Sequence, residues 1–540
     1  MDITAVKTEP YQDQKFGTSG LRRRVSVFMQ KNYLQNVVQS LFDSLQGFEG
    51  KTLIIGGDGR FFNDKAIQIV IKMAAANGFG RVIVGKNGWL STPALSHLIT
   101  LKSAFGGIIL TASHNPGGKE GDFGIKFDTA NGAPAPIFMT DAITEHSKTI
   151  ERFWWIDADD IDLTTTGERL LGSMVVEVID PVSDYADYMK KIFDFNAIQS
   201  LFKKGFTITF DAMNAITGPY AKVIFEDILG APKGSVVHET PLPDFGGLHP
   251  DPNLIYAKHL VDRMNASDAP DFGAASDGDG DRYMVLGKNC FINPSDSLAV
   301  LATYLDQLPF YKNRFYGIAR SMPTSAAVDA VAEHKKLPIY KTPTGWKFFG
   351  SLLENKKISL CGEESFGAGS FHAMEKDGIW AVLAWLNIMA ITNKTPAQLV
   401  QELWNDYGRV YYSRHNYEDL PVEQLQHLMD SLKSQLPSLP GQTFGCLTVE
   451  SAEIFNYTDP ITNEHVGDQG VLIKLSQNAS FMVRLSGTGT VGATLRLYYS
   501  KHEDKTDENP SEVLAPVVLA ATSLLQTSKY LDVDTPTTIT

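Results

Sequence analysis

Thr111-Ala112-Ser113-His114-Asn115-Pro116-Gly117-Gly118 follows the apolar run Gly106-Gly107-Ile108-Ile109-Leu110. The run reads as a buried strand. Pro116, Gly117 and Gly118 end regular structure just beyond it. A serine is therefore held at the mouth of a strand, in a loop rich in backbone N–H groups. A serine hydroxyl is a weak nucleophile without an activator; His114, a basic partner such as Lys126, or a metal would serve. By itself such a loop is an ordinary polar turn. Two further apolar strands in the chain, however, end in the same way. Residues 272–275 lead into Ser276-Asp277-Gly278-Asp279-Gly280-Asp281-Arg282, and residues 358–360 into Gly362-Glu363-Glu364-Ser365-Phe366-Gly367.

Each of the three strands is preceded by a strand–helix–strand succession. The first covers 51–58, 63–77 and 81–85, the second 206–211, 217–229 and 235–238, the third 316–320, 324–334 and 338–341. Three βαβ units in an internal repeat are expected, each seeding one α/β domain. Ligands of open α/β sheets sit beyond the carboxyl ends of the strands, so the three loops are expected to converge. After Gly408 the pattern changes: 479–485 and 493–500 read as strands with no strong helix between them. The expected architecture is three related α/β domains with mixed sheets plus a C-terminal α+β domain around one central cleft. Its units span 1–182, 183–303, 304–408 and 409–540.

A chain of 540 residues is too long for one hydrophobic core. A net charge of −14 argues against nucleic acid or a membrane surface as partner. Basic clusters are informative against that field, because an anion site must be built in spite of it. Cys290, Cys361 and Cys446 are sparse and odd in number, which fits free thiols in a reducing compartment. Met1 to Pro10 carries no apolar stretch of a signal peptide. The most apolar runs, 380–391 and 514–525, are too short to span a bilayer. The expected location is the cytoplasm.

Asp277, Asp279 and Asp281 cannot stay close without a counter-charge, and all-oxygen ligation points to a hard cation, Mg²⁺ or Ca²⁺. An EF-hand would need glycine and glutamate where this chain has Arg282 and Lys288. Three carboxylates leave coordination places open, which suits Mg²⁺ sharing a phosphate oxygen, with Arg282 as a phosphate clamp. Near the N-terminus, Phe16-Gly17-Thr18-Ser19-Gly20-Leu21-Arg22 combines glycines that allow close approach to an oxyanion with an arginine to hold it. Gly487-Thr488-Gly489-Thr490-Val491-Gly492 fits G-x-G-x-x-G, but a strand follows where a dinucleotide site needs a helix. A phosphate cradle of Ser486 and Thr488 hydroxyls flanked by Arg484 and Arg496 fits better. Thr344-Gly345, Glu363 and Ser365 suit vicinal sugar hydroxyls. Lys376 suits a phosphate, and His372 reads as structural.

Together these loops resemble those of the α-D-phosphohexomutase family, nearly end to end, from Tyr11-Gln12-Asp13-Gln14-Lys15 to Thr540. T-A-S-H-N-P-G-G, D-G-D-G-D-R, G-E-E-S-F-G and R-L-S-G-T-G are all intact. The resemblance implies four domains in a heart-shaped molecule. It also implies reversible conversion of α-D-glucose 1-phosphate to glucose 6-phosphate. By resemblance Ser113 is phosphorylated in the resting enzyme, Mg²⁺ joins that phosphate to Asp277, Asp279 and Asp281, and glucose 1,6-bisphosphate is intermediate and activator. Arg22, Arg282 and Mg²⁺ would supply charge, and His114 or Lys126 would transfer protons. Arg484, Ser486, Thr488 and Arg496 would hold the resting phosphate. Asp281, Thr344, Gly345, Glu363, Ser365 and Lys376 would bind the sugar and its phosphate. Phe371 and Met374 stand where relatives usually carry charges, which would change cleft polarity. A monomer or weak dimer is expected. The rivals are a sibling mutase for mannose or glucosamine phosphates, a phosphatase, and a non-catalytic structural or signalling member.

Overall fold

The computed structural model describes all residues except Met1, Thr18, 487–491, Asp532 and Asp534. Thr488, expected in the phosphate cradle, lies outside the described residues.

The three expected repeats share one strand order. In each, a first strand (Thr52–Gly57, Ile208–Asp211, Ile318–Ser321) runs parallel between a second (Arg81–Trp89, Val236–Val237, Ile339–Thr342) and a third (Gly106–Leu110, Phe272–Ser276, Leu360–Glu363). A fourth (Asp122–Thr129, Tyr283–Gly287, Gly367–Ser370) pairs antiparallel with the third. Strands covered on both faces read as near-continuous apolar runs, and Gly106–Leu110, Phe272–Ser276 and Leu360–Glu363 are buried at every position, with the polar Ser276 and Glu363 at the carboxyl ends of theirs. The turn from third to fourth strand is 111–121 in the first repeat, 277–282 in the second and 364–366 in the third. The serine loop, the acidic loop and the Glu364–Phe366 loop are thus the same structural position used three times.

The C-terminal part is a seven-stranded sheet containing Arg409–Leu420, Leu447–Ile454, Val471–Leu475, Ala479–Ser486 and Ala493–Glu503, backed by helices Val422–Gln435 and Pro510–Leu525. Its buried face forms a core of its own. The second and third repeats instead share one continuous core. Helix Gly378–Thr392 runs through it and is buried on all sides, as a helix apolar all round must be. Asp377 caps that helix, accepting from Trp380 N (3.0 Å), while His372 Nε2 bonds the same carboxylate at 3.1 Å. His372 is stacked on Trp380 within the core. No helix among the described residues is long and apolar enough to cross a membrane.

Three local expectations differ from the structure. The strand placed at 358–360 is Leu360–Glu363, because Glu363 pairs with Gly367 across the turn; Glu363 is a strand residue. The helix placed at 217–229 is α-helical only over Thr217–Ala221, then widens, with Leu229 N–H donating to Ile224 O five residues back. The strand placed at 493–500 runs on to Glu503, because pairing with Arg409–Leu420 extends it.

Candidate active site

A cleft of about 670 Å³ collects residues from all four parts of the chain. Among the described residues it is walled by Arg22, Ser113, His114 and Lys126 from the first repeat and Asp281 and Arg282 from the second. The third repeat adds Thr344, Gly345, Glu363, Ser365 and Lys376, and the C-terminal sheet adds Arg484, Ser486 and Arg496. Asp277 and Asp279 lie buried behind Asp281.

Ser113 holds a left-handed backbone (φ 52°), unusual for a residue with a Cβ. Its N–H donates to Thr111 Oγ1 (2.8 Å), and its carbonyl accepts from Arg60 Nη2 (2.8 Å). That conformation turns Oγ toward the acidic loop, where it donates to Asp277 Oδ2 at 2.9 Å; His114 Nδ1 is 3.3 Å away. Gly278 is required for this approach, since a Cβ there would stand 2.3 Å from Ser113 O. Burial and nearby Arg282 and Arg22 lower the His114 pKa well below the ordinary imidazole value, so the ring is neutral.

Asp277, Asp279 and Asp281 bring carboxylate oxygens within 4.8 Å of one another. Asp277 Oδ1 accepts from the backbone N–H of Asp281 and of Arg282, both at 3.0 Å, which curls the loop around it. Thr92 Oγ1 donates to Asp279 Oδ2 at 2.7 Å, while the buried Asp279 Oδ1 has no hydrogen-bond partner. Burial and repulsion from Asp281 and Asp279 hold the Asp277 carboxyl well above the usual carboxylate range. Asp281 ends below that range, because Lys376, Lys126 and Arg282 outweigh its burial. The set fits a hard divalent cation: all donors are oxygen, Asp279 Oδ1 is buried without a hydrogen-bond partner among the described residues, and mutual repulsion needs relief.

Cations face this group from several sides. Lys376 Nζ is 3.2 Å from Asp281 Oδ1, and Arg282 Nη1 is 3.2 Å from Asp251 Oδ1. Lys126 Nζ is 2.7 Å from Glu375 Oε1; burial opposes the ammonium, but Glu375 and Asp128 outweigh it and raise its pKa. The buried Nε atoms of Arg22, Arg282 and Arg496 have no hydrogen-bond partner among the described residues. Arg484 and Arg496 sit directly opposite each other on paired strands. Like charges in that relation repel, so an anion is the natural third member. On the third repeat's wall of the cleft, Gly345 N–H donates to Glu363 Oε1 at 3.1 Å, and the buried Thr344 Oγ1 has no hydrogen-bond partner among the described residues.

Phe371 and Met374 do not line the cleft. Phe371 stacks on Phe310, and Met374 packs on the core of the third repeat. The expected change in cleft polarity is therefore not produced by these two side chains. Sequence reading missed Asp58 and Arg60, which hold the serine loop, Thr92 on Asp279, and Glu375 on Lys126. The Asp58-Gly59-Arg60 run after an apolar strand was the available signal; Glu375 carried none.

Arg496→Gln is expected to raise the substrate KM by about 10–100-fold, the worth of one charge-assisted phosphate contact. It should leave the melting temperature equal or higher, because Arg484 loses a repelling neighbour. Steady-state kinetics with a thermal melt checks both, and a KM within twofold of the parent removes Arg496 from phosphate binding.

The comparisons agree with this geometry. Phosphoglucomutase/phosphomannomutase α/β/α domains I, II and III match residues 13–153, 183–290 and 293–407, and the Phosphoglucomutase-1 C-terminal domain matches 409–537. A phosphoglucomutase of Rhizobium radiobacter is 52% identical, with all of both chains covered. Human phosphoglucomutase-1 is 46% identical, again over all of both. The Paramecium phosphoprotein pp63/parafusin, a phosphoglucomutase crystallised in an open form, superposes with a TM-score of 0.93 at 43% identity. That match covers 100% of this chain and 99% of the other.

Proposed function

The chain belongs to the α-D-phosphohexomutase family, on its phosphoglucomutase branch, and from that premise we propose how its cleft interconverts α-D-glucose 1-phosphate and glucose 6-phosphate. The observation that carries the proposal is Ser113 Oγ, 2.9 Å from Asp277 in a carboxylate cluster, in a cleft also lined by Arg22, Arg282, Lys376, Arg484 and Arg496.

Ser113 is the phosphoryl carrier. The sugar hydroxyl attacks the phosphorus; the bond to Ser113 Oγ breaks as the bond to O6 forms, and the hydroxyl proton ends on Ser113. The glucose 1,6-bisphosphate so made turns around, and Ser113 Oγ attacks the phosphorus at C1, its proton passing to O1. His114, with Nδ1 3.3 Å from Oγ, relays the proton at that atom. Lys126, held charged by Glu375, acts as a fixed positive charge. Asp277, Asp279, Asp281 and Ser113 would hold Mg²⁺, which supplies neutralising charge for the phosphoryl oxygens when bound. Arg22, Arg282 and Lys376 fix the reacting phosphate. Arg484, Ser486, Thr488 and Arg496 fix the other one, and Thr344, Gly345, Glu363 and Ser365 take the ring hydroxyls in either orientation. Phosphoryl transfer of this kind depends on positioning and charge more than on covalent help.

The units in this reading are 1–182, 183–303, 304–408 and 409–540, the enzyme is a monomer or weak dimer, and its setting is the cytoplasm. Free Cys290, Cys361 and Cys446 support a reducing compartment. The test is intact mass after incubation with glucose 1,6-bisphosphate and Mg²⁺. One phosphate is expected on the parent chain and none on Ser113→Ala; phosphate on the variant overturns the assignment.

A further inference from the structure

Asp211, His238 and His259 form a second cluster that does not line the cleft. Asp211 ends the first strand of the second repeat, and the neighbouring parallel strand pairs Val237 with it. His238 follows that strand, and His259 is the second residue of helix Lys258–Met264. His238 Nδ1 is 2.9 Å from Asp211 Oδ1, and His259 Nε2 contacts Oδ2. The two rings stand nearly perpendicular, with centroids 4.8 Å apart. Asp211 is fully buried; its other contact is the Met213 N–H at 2.8 Å. Both histidines keep more than a third of their side chains exposed, so an ion can enter from solvent.

Two features go beyond a pair of hydrogen bonds. One carboxylate oxygen and two imidazole nitrogens, from two adjacent strand ends and a helix, converge as the mixed donor set of a transition-ion site. In addition, His238, Met213 and Asn214 all take left-handed backbone (φ 47°, 52° and 51°) around the carboxylate. Strain gathered at three non-glycine residues is characteristic of ligand clamps. The donor atoms lie within 4.8 Å of one another, compatible with the roughly 3.3 Å separations of ligands around a tetrahedral ion with bonds of about 2.0–2.1 Å. Imidazole-rich donors select borderline transition ions over Mg²⁺.

We propose that Asp211, His238 and His259 form a second cation site, for a divalent transition ion of the Zn²⁺ class, separate from the acidic triad. Its location gives it a structural task. The chain leaving His238 reaches Pro243, whose carbonyl accepts from Gly118 N (3.0 Å) in the serine loop and from Phe61 N (2.8 Å). Asn214 anchors the same segment through Leu242 N (2.9 Å) and Thr240 O (3.0 Å). A bound ion fastens the root of the segment that backs the serine loop.

The test is equilibrium dialysis against Zn²⁺ in excess Mg²⁺, comparing the parent with the double variant His238→Asn, His259→Gln. The parent is expected to hold one more Zn²⁺ equivalent, and its melting temperature to rise with Zn²⁺ where the variant's does not. Turnover measured with Mg²⁺ alone should stay within twofold. Any Zn²⁺ on the acidic triad is common to both proteins and cancels. Equal binding by both, or none by the parent, overturns the site. If the double variant does not fold, His259→Gln alone, on an exposed helix position, should weaken Zn²⁺ binding at least about tenfold, in the range found when metal-site interactions are lost. Unchanged affinity overturns the proposal.

Discussion

Ser113→Ala is expected to reduce glucose 1-phosphate turnover by about 10⁴–10⁶-fold, the scale seen when the covalent carrier of a group-transfer enzyme is removed. The size follows from the geometry. The hydroxyls that brace this loop and the acidic triad are engaged elsewhere: Thr111 Oγ1 with Asp58 Oδ2 at 2.7 Å, and Thr92 Oγ1 with Asp279. The fold loses little by comparison. The variant deletes one oxygen and its bond to Asp277, about 1 kcal/mol, while the Ser113 N–H and carbonyl keep their partners. A coupled assay for glucose 6-phosphate, with added Mg²⁺ and glucose 1,6-bisphosphate, reads the loss, and a melting temperature lowered by no more than about 2–4 °C assigns it to chemistry. Activity within tenfold of the parent would remove Ser113 as carrier and leave the family assignment standing.

What was legible in the sequence was whatever had a local signature. Glycines break a strand where a loop must bend sharply, so the serine and acidic loops announce themselves, and alternating Asp and Gly identify oxygen ligands in a few residues. The repeat was legible because apolar runs on a covered sheet are continuous. Contacts between distant segments left no such trace. Glu375 meets Lys126 across 249 positions, and Thr92 meets Asp279 across 187; each looks like an ordinary surface residue until the repeats pack. The end of the Leu360–Glu363 strand was misplaced for a related reason. Gly362 and Glu363 have low strand propensity, but pairing with Ala368 and Gly367 imposes the extended form. Asp128 is the residue the sequence said least about: fully buried on the Lys126 strand, both oxygens without a hydrogen-bond partner, its pKa raised by burial and by Glu375.

Arg60→Ala is expected to destabilise the protein by about 3–5 kcal/mol, the cost of stranding one member of a buried ion pair. For a unit of this size that is a fall of roughly 6–20 °C in melting temperature. Arg60 Nε lies 2.8 Å from Asp58 Oδ2 with both side chains fully buried, so the substitution leaves a buried carboxylate alone. Activity should fall as well, by at least about 10²-fold, because misplacing a reacting group by about 1 Å has that effect. The guanidinium donates to Ser113 O at 2.8 Å and Asn115 O at 3.4 Å in the serine loop and to Asp122 O at 2.8 Å on the strand after it, and these bonds maintain the left-handed serine. Stability and positioning can be separated with Asp58→Leu, Arg60→Met. An apolar pair of similar volume removes the stranded charge and should recover most of the melting temperature. It restores no donor for Ser113 O, so kcat should remain low. If kcat recovers together with the melting temperature, the serine is positioned by the glycine-rich loop and the acidic triad alone, and Arg60 serves only the fold.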